Sequence, residues 1–502
     1  MTPTAADSGA TIKVNGATVT SGSASGSIAL SVGDNTITTV VTAGDGETTK
    51  TYTVTVTRAA SANADLSGLA LSAGTLSPTF AAGTTSYTAT VSNATTSLTI
   101  TPTVADATAT VTVNGATVTS GSASGSIALS VGDNSITTIV TAQDGSTTKT
   151  YTVIVTRAPS ANANLSALSL SAGTLTPTFA AGTTTYTATV SNATTGLTIT
   201  PTTADATATV TVNGSSVTSG NASSTIPLSV GDNTITTIVT AQDGSTTRTY
   251  TVTVTRAPSA NADLSALTLS TGMLWPPFAA GTTSYTAAVS NATGSLTVTP
   301  TVADATATVK VNGTTVTSGS ASNAISLSVG DNTITVVVTA QDGTTTRTYT
   351  VVVTRAASSN ADLSQLTLSA GTLSPTFDAA ATSYTATVAY AVSSLTITPT
   401  AAEGTATITV NGDAVASGSA SSALPLTVGD NTVSVVVTAG DGVTTRTTTV
   451  TITRQPSSNT DLAGLALSTG TLTPAFDPAT TSYTATVPNA TASLSVTVTV
   501  SD

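Results

Sequence analysis

Cysteine and histidine are both missing from the 502 residues. Their absence excludes thiol nucleophiles, disulfide staples, Cys/His zinc sites and any hydroxyl activated by an imidazole. Charge is also scarce, with 7% Asp, Glu, Lys and Arg and only 12 basic residues against 24 acidic ones. A net charge of −12 repels phosphate backbones, so no nucleic-acid partner is expected. Aromatic residues are 3% of the chain, with a single Trp, so any core must be aliphatic. No apolar run approaches the ~18 residues of a bilayer span, so this segment is not expected to insert into a membrane. The start, Met1-Thr-Pro-Thr-Ala-Ala-Asp7, lacks the basic and apolar regions of a signal peptide. An export signal and an anchor are therefore expected outside this sequence.

What remains is mostly Thr, Ser, Ala, Val and Gly. That polar, β-favouring mixture with little lysine resembles the composition of exported bacterial surface proteins. It is also periodic. An Asn-Gly pair recurs every 99 residues, at Asn15, Asn114, Asn213, Asn312 and Asn411. Gly-Asp-Asn recurs at Gly33, Gly132, Gly231, Gly330 and Gly429, and a strand-ending arginine at Arg58, Arg157, Arg256, Arg355 and Arg454. A fixed period without insertion or deletion means one folding unit copied in tandem.

Within the copy from Asn63 to Arg157, Tyr87, Ala89 and Val91 alternate with Thr88 and Thr90, and Val111 and Val113 flank Thr112. Period-two alternation with threonine on the wet side predicts half-buried strands. Asn114-Gly115 predicts a type I′ hairpin, because both central residues of that turn need positive φ. Ile127, Leu129 and Val131 predict another strand, closed by Gly132-Asp133-Asn134. Asp144-Gly145 predicts a second hairpin turn, before a last strand with Tyr151, Val153 and Val155 on one face. Seven or eight short strands in about 95 residues, and no helical stretch, predict two antiparallel sheets packed as an immunoglobulin-like sandwich. A unit of this size buries enough surface to fold alone. Lys50, Lys149, Arg248, Arg347 and Arg446 share one position of the last strand and are expected on its exposed side, blunting an edge or pairing with a neighbour.

Several runs carry a family likeness: Leu66-Ser-Gly-Leu-Ala-Leu-Ser-Ala-Gly-Thr-Leu-Ser-Pro-Thr-Phe80, Thr85-Ser-Tyr87-Thr-Ala-Thr-Val91, Val113-Asn-Gly115, Val131-Gly-Asp-Asn134 and Thr150-Tyr-Thr-Val-Ile-Val-Thr-Arg157. Together they resemble the bacterial cadherin-like β-sandwich domain family, and the likeness extends over every copy. It implies an all-β, rod-shaped tandem array of immunoglobulin-like or cadherin-like antiparallel β-sandwiches, of the kind found in large secreted and cell-surface proteins. It brings no shared catalytic residues.

The repeat phase places complete units at residues 62–157, 161–256, 260–355 and 359–454. The later strands of a further unit occupy residues 1–58, and the earlier strands of another occupy residues 458–502. Linkers of six or seven residues, three of them carrying Pro159, Pro258 or Pro456, predict stiff joints. Units of roughly 35–45 Å would then build a rod of about 200 Å. Because Met1–Asp7 and Val496–Asp502 share one phase, the chain is expected to be a segment of a longer repetitive polypeptide. The alternative is that residues 458–502 of one chain complete residues 1–58 of the next, which would give head-to-tail homotypic fibres.

Calcium is the cofactor to weigh, with Asp106, Asp133 and Asp144 as candidate oxygen donors and Asp65 in some copies. Grouped carboxylate motifs are missing, Asp65 becomes Asn164 one copy later, and Asp133 and Asp144 read better as turn formers beside Gly. No cofactor is therefore expected. Trp275, in Met273-Leu-Trp275-Pro-Pro-Phe278, is a candidate sugar-stacking ligand residue on a loop. Asn93, Asn192, Asn291 and Asn489 match the N-glycosylation pattern, to which no role is assigned. Paired carboxylates with an evident cleft are lacking, so no enzyme is expected. The function read from the sequence is a non-enzymatic stalk of a bacterial extracellular or cell-surface protein, joined to flanking domains and spacing a tip from the cell. The alternatives are the fibre subunit and a multivalent glycan-binding array.

Overall fold

The structure is a computed structural model and describes residues 1–501. It divides into two compact units, Met1–Pro258 and Ser259–Asp502. Two large hydrophobic cores lie in the first and two in the second, each confined to a single copy of the repeat. No helix occurs among the described residues, so none is long and apolar enough to cross a membrane.

The copy at residues 66–157 stands for the others. Its strands are β1 (Leu66–Leu71), β2 (Ser86–Val91), β3 (Ser97–Leu98), β4 (Ile100–Val104), β5 (Thr110–Val113), β6 (Ala116–Val118), β7 (Ile127–Ala128), β8 (Gly132–Thr141) and β9 (Thr148–Arg157). One layer is a five-stranded sheet in the order β6-β5-β8-β9-β2, and the short pairs β1-β4 and β3-β7 form the facing layer. Alternation of residue type explains the partition. Tyr87, Ala89 and Val91 of β2 and Tyr151, Val153 and Val155 of β9 are buried against Leu66, Leu69, Leu98 and Ile100. The intervening threonines stay wet, which suits their β-branched, hydroxylated side chains. Phe80 stacks on Tyr87 with centroids 6.1 Å apart and closes one side of the core.

The Asn114-Gly115 hairpin forms as its chemistry requires, with φ of 46° and 83° and Val113 paired with Ala116. Asn114 does more than turn the chain, because its Oδ1 accepts from the Thr137 amide of β8 at 2.9 Å.

Three details depart from the strand-by-strand reading. First, β2 and β9 run parallel, with Tyr87 opposite Val153, so β9 lies inside the sheet and is not an edge. Lys149 precedes the stretch of β9 that β2 covers, Thr152–Arg157, and takes the second of its two expected roles, pairing with a neighbour. It is half-buried, reaches Asp65 at 2.7 Å and lies over the Tyr151 ring at 5.4 Å. Second, β7 stops at Ala128, and Gly132-Asp133-Asn134 opens β8 instead of ending a strand. The Asn134 side chain is the cause. It accepts from the Ser130 amide at 2.8 Å and donates to the Ser130 and Gly132 carbonyls, closing a loop that turns Val131 outward. Third, Asp133 is not a turn residue, since it faces Thr156 across the β8-β9 ladder and accepts its hydroxyl at 2.6 Å.

The incomplete copies keep their half of the pattern. Residues 11–58 form a four-stranded sheet matching β6-β5-β8-β9, and Leu462–Leu467 pairs with Val496–Val500 as β1 does with β4.

Candidate functional site

Two sets of the polar groups that recur from copy to copy lie at the poles of each sandwich, where the chain enters and leaves. Thr141 pairs with Thr148 at one end of the β8-β9 ladder and Gly132 with Arg157 at the other. Ten residues of strand put those ends about 30 Å apart.

At the entry pole the linker is latched to the sandwich that follows it. Ser61 donates its amide to Gln143 Oε1 at 3.1 Å, and its carbonyl accepts the Asp144 amide at 3.1 Å. The Ser61 hydroxyl accepts from Asn63 N and donates to Asp106, and Asn63 Oδ1 accepts the Asp65 amide at 3.0 Å. The buried Tyr151 hydroxyl then receives the Leu66 amide at 3.0 Å, at the first residue of β1. The set repeats around Ser160, Gln242 and Tyr250, and again around Ser259, Gln341 and Tyr349. Gln143, the Ser61 hydroxyl, Asn63 and Tyr151 each satisfy a backbone amide that the linker or the start of β1 would otherwise leave to water.

At the exit pole Arg157 ends β9 with Nε on the Asn93 carbonyl at 2.8 Å and Nη1 on the Leu129 carbonyl at 3.0 Å. Asn93 Nδ2 donates to the carbonyl of Ala158, the first linker residue, at 3.1 Å. The amides of Asn192 and Asn291 do the same to Ala257 and Ala356. The asparagine of the glycosylation pattern is thus a half-buried side chain already committed to the departing chain in these three copies.

The three aspartates weighed for calcium do not converge. Asp106 and Asp144 both reach Ser61 at the entry pole, whereas Asp133 belongs to the exit end of β8. The Ser61 hydroxyl, then the Thr108 amide and hydroxyl, hold the Asp106 carboxyl down at about 2. Asp144 is held at about 2 by the Thr147 hydroxyl and then by the Thr147 and Ser146 amides. Asp65 is taken by Lys149. No group of three acidic residues suited to a metal occurs among the described residues. Carboxylates separately filled by hydroxyl and amide donors do not fit a cage that needs six to eight convergent oxygens.

Trp275 lies on the outer side of the loop before the third copy's β2 equivalent, Ser284–Val289. Its backbone exchanges two hydrogen bonds of 2.8 Å with Thr286, while the side chain is 72% exposed. Met273 is exposed on the same loop, and Phe278 turns inward to stack on Tyr285. The structure therefore sets Trp275 apart from both polar poles.

Sequence reasoning missed Ser61, Gln143 and the tyrosine hydroxyl as parts of one latch. The available signal was recurrence, since Ser-x-Asn in the linkers and Gln-Asp-Gly after β8 return in phase in three copies. What the sequence does not show is that these two motifs, some 80 residues apart, meet at one pole.

The sequence profile of the cadherin-like beta sandwich domain matches residues 1–59, 66–158, 165–257, 264–356 and 363–455. A protein of Evansella cellulosilytica that carries a membrane-protein description is 48% identical over 97 residues. That match covers 19% of this chain and 14% of the relative. Among solved structures, the extracellular cadherin domains 1–4 of protocadherin gamma B7 share 10% identity at a TM-score of 0.23, covering 64% of this chain and 83% of that one. Drosophila N-cadherin EC1-4 gives 12% and 0.19, covering 74% and 99%. Domains 4–9 of the surface layer protein SbsC give 13% and 0.17, covering 90% and 74%.

Proposed function

Because the chain belongs to the cadherin-like β-sandwich domain family, we propose that it is a non-enzymatic stalk in a bacterial extracellular or cell-surface protein, spacing flanking domains from the cell. Residues 62–157, 161–256, 260–355 and 359–454 are taken as its independently folding units, with parts of units at 1–58 and 458–502. The observation that supports this reading is the pair of polar latches that ties the linkers 158–164 and 257–263 at both ends, Arg157 and Asn93 on the exit side and a serine such as Ser160 on the entry side of the next sandwich. A ligand-binding array would place its recurring polar groups on accessible loops. Here they are consumed by the chain's own backbone. Small-angle scattering tests the stalk directly. Deleting one 99-residue copy should shorten the maximum dimension by roughly 35–45 Å, and a compact particle of unchanged size would end the reading.

One observation favours the second reading, assembly through the incomplete units. Tyr52 and Val54 are 51% and 38% exposed, whereas their counterparts Tyr151 and Val153 are fully buried. Val496, Val498 and Val500 are 53–64% exposed at the other terminus. In a complete copy, segments equivalent to 66–98 and 127–157 cover one another. Residues 462–494 of a second chain carry the matching pattern for residues 28–58. Sedimentation that stays monomeric at every concentration would remove this reading. Concentration-dependent polymers that vanish on deleting residues 459–502 would support it.

A further inference from the structure

The fourth copy breaks the entry latch at several points, although its sandwich is otherwise complete. Gly440 stands where Gln143, Gln242 and Gln341 receive a linker serine amide, so Ser358 N loses that acceptor. Thr448 stands where Tyr151, Tyr250 and Tyr349 receive the amide of the first β1 residue, so Leu363 N loses its hydroxyl partner. Glu403 replaces the aspartate that receives the serine hydroxyl at Asp106, Asp205 and Asp304. The ring beneath Lys149, Arg248 and Arg347 is likewise missing beneath Arg446. Ala357 takes the place of Pro159 and Pro258, as Ala60 does in the first linker, so proline does not separate the latched joints from this one.

Some ties survive. The Ser358 carbonyl still accepts the Asp441 amide at 2.9 Å, Asn360 N still reaches the Ser358 hydroxyl, and Arg446 still pairs with Asp362. A Cβ built on Gly440 would run into the Thr405 hydroxyl, so Thr405 occupies the space a side chain at 440 would need. Beside residues 359–362 lies a shallow, solvent-open hollow walled by Thr444, Thr445 and Arg446. Leu363 is 4% exposed, whereas Leu66, Leu165 and Leu264 are fully buried.

We infer that the linker of residues 356–362 is the built-in hinge of the array, the joint that opens while the three latched linkers stay closed. Two amides without side-chain acceptors, both of them satisfied in each of the three latched linkers, lower the cost of local opening at this one place. The inference concerns relative looseness among joints and holds whether the array is a stalk or a fibre subunit.

Hydrogen exchange on the full chain tests it, because the linkers serve as one another's controls. The amides of Ser358 and Leu363 should exchange at least tenfold faster than those of Ser61, Ser160 and Ser259 and of Leu66, Leu165 and Leu264. Brief trypsin treatment offers a second readout, since the same Arg-Ala bond follows β9 at Arg58, Arg157, Arg256 and Arg355. Cleavage after Arg355 should precede cleavage after Arg157 and Arg256, the other two such bonds that follow a complete sandwich. The combination Glu403→Asp, Gly440→Gln and Thr448→Tyr should slow exchange at Ser358 and Leu363 to the level of the other linkers. If that overfilled core fails to fold, the reciprocal pair Gln341→Ala and Tyr349→Phe keeps the third copy's packing and should raise exchange at Ser259 and Leu264 alone. Equal protection in all four linkers, or a reciprocal pair that leaves Ser259 and Leu264 unchanged, overturns the inference.

Discussion

At the scale of single residues, small departures between copies act as experiments already performed. Thr138 and Thr237 are fully buried, and their hydroxyls have no hydrogen-bond partner. The third and fourth copies carry Val336 and Val435 there, equally buried. Valine fills the same volume without an orphaned oxygen. The double variant Thr138→Val/Thr237→Val should therefore gain about 1–3 kcal/mol per site, visible in calorimetry as an upward shift of the transitions of the first two complete copies. The turn aspartates add a pH dependence. Asp106, Asp144, Asp243 and Asp342 sit at about 2, below the ordinary 3.8, because hydroxyl and amide donors favour the charged form. A folded value below the unfolded one makes their stabilisation complete above the ordinary value and lost as pH falls through about 2. Melting temperature should stay level from neutral pH to near 4 and then drop. Asn at all four positions should flatten that drop.

At the scale of elements, the turn-formers carry the clearest local demands. Asn114→Ala forces a φ of 46° on alanine and removes the acceptor of Thr137 N. It should cost about 1–3 kcal/mol. Asn114→Gly accepts that φ and should cost less, with urea midpoints giving the comparison. This hairpin was legible because its signal is local and steric, as was the alternation that buries Tyr87 and Tyr151. The parallel β2-β9 pair was not legible, since nothing in either strand's pattern names its neighbour across 60 residues. Val131 misled for a related reason. Its place in an alternating run pointed inward, but the Asn134 side chain closes the loop over Ser130 and outweighs one valine. Asp133 was read by its glycine neighbour, whereas its partner is Thr156, a cross-strand contact. The latch at Ser61 escaped for the same reason, since its acceptors lie far along the chain.

At the scale of the whole molecule, the satisfied carboxylates set an expectation for metals. Adding calcium or a chelator to the full chain should leave every calorimetric transition where it was, and a rise of several degrees with calcium would contradict the geometry at Asp106 and Asp144. The parallel pairing of β2 with β9 has a mechanical consequence. Load arriving through the two linkers draws β1 and β9 lengthwise from opposite poles of a sandwich. The ten-residue ladder to β8 and the six-residue ladder to β2 are then sheared together, not peeled bond by bond. Such a sandwich resists tension until many bonds fail in one event, so under a steady pull the chain should lengthen in abrupt steps.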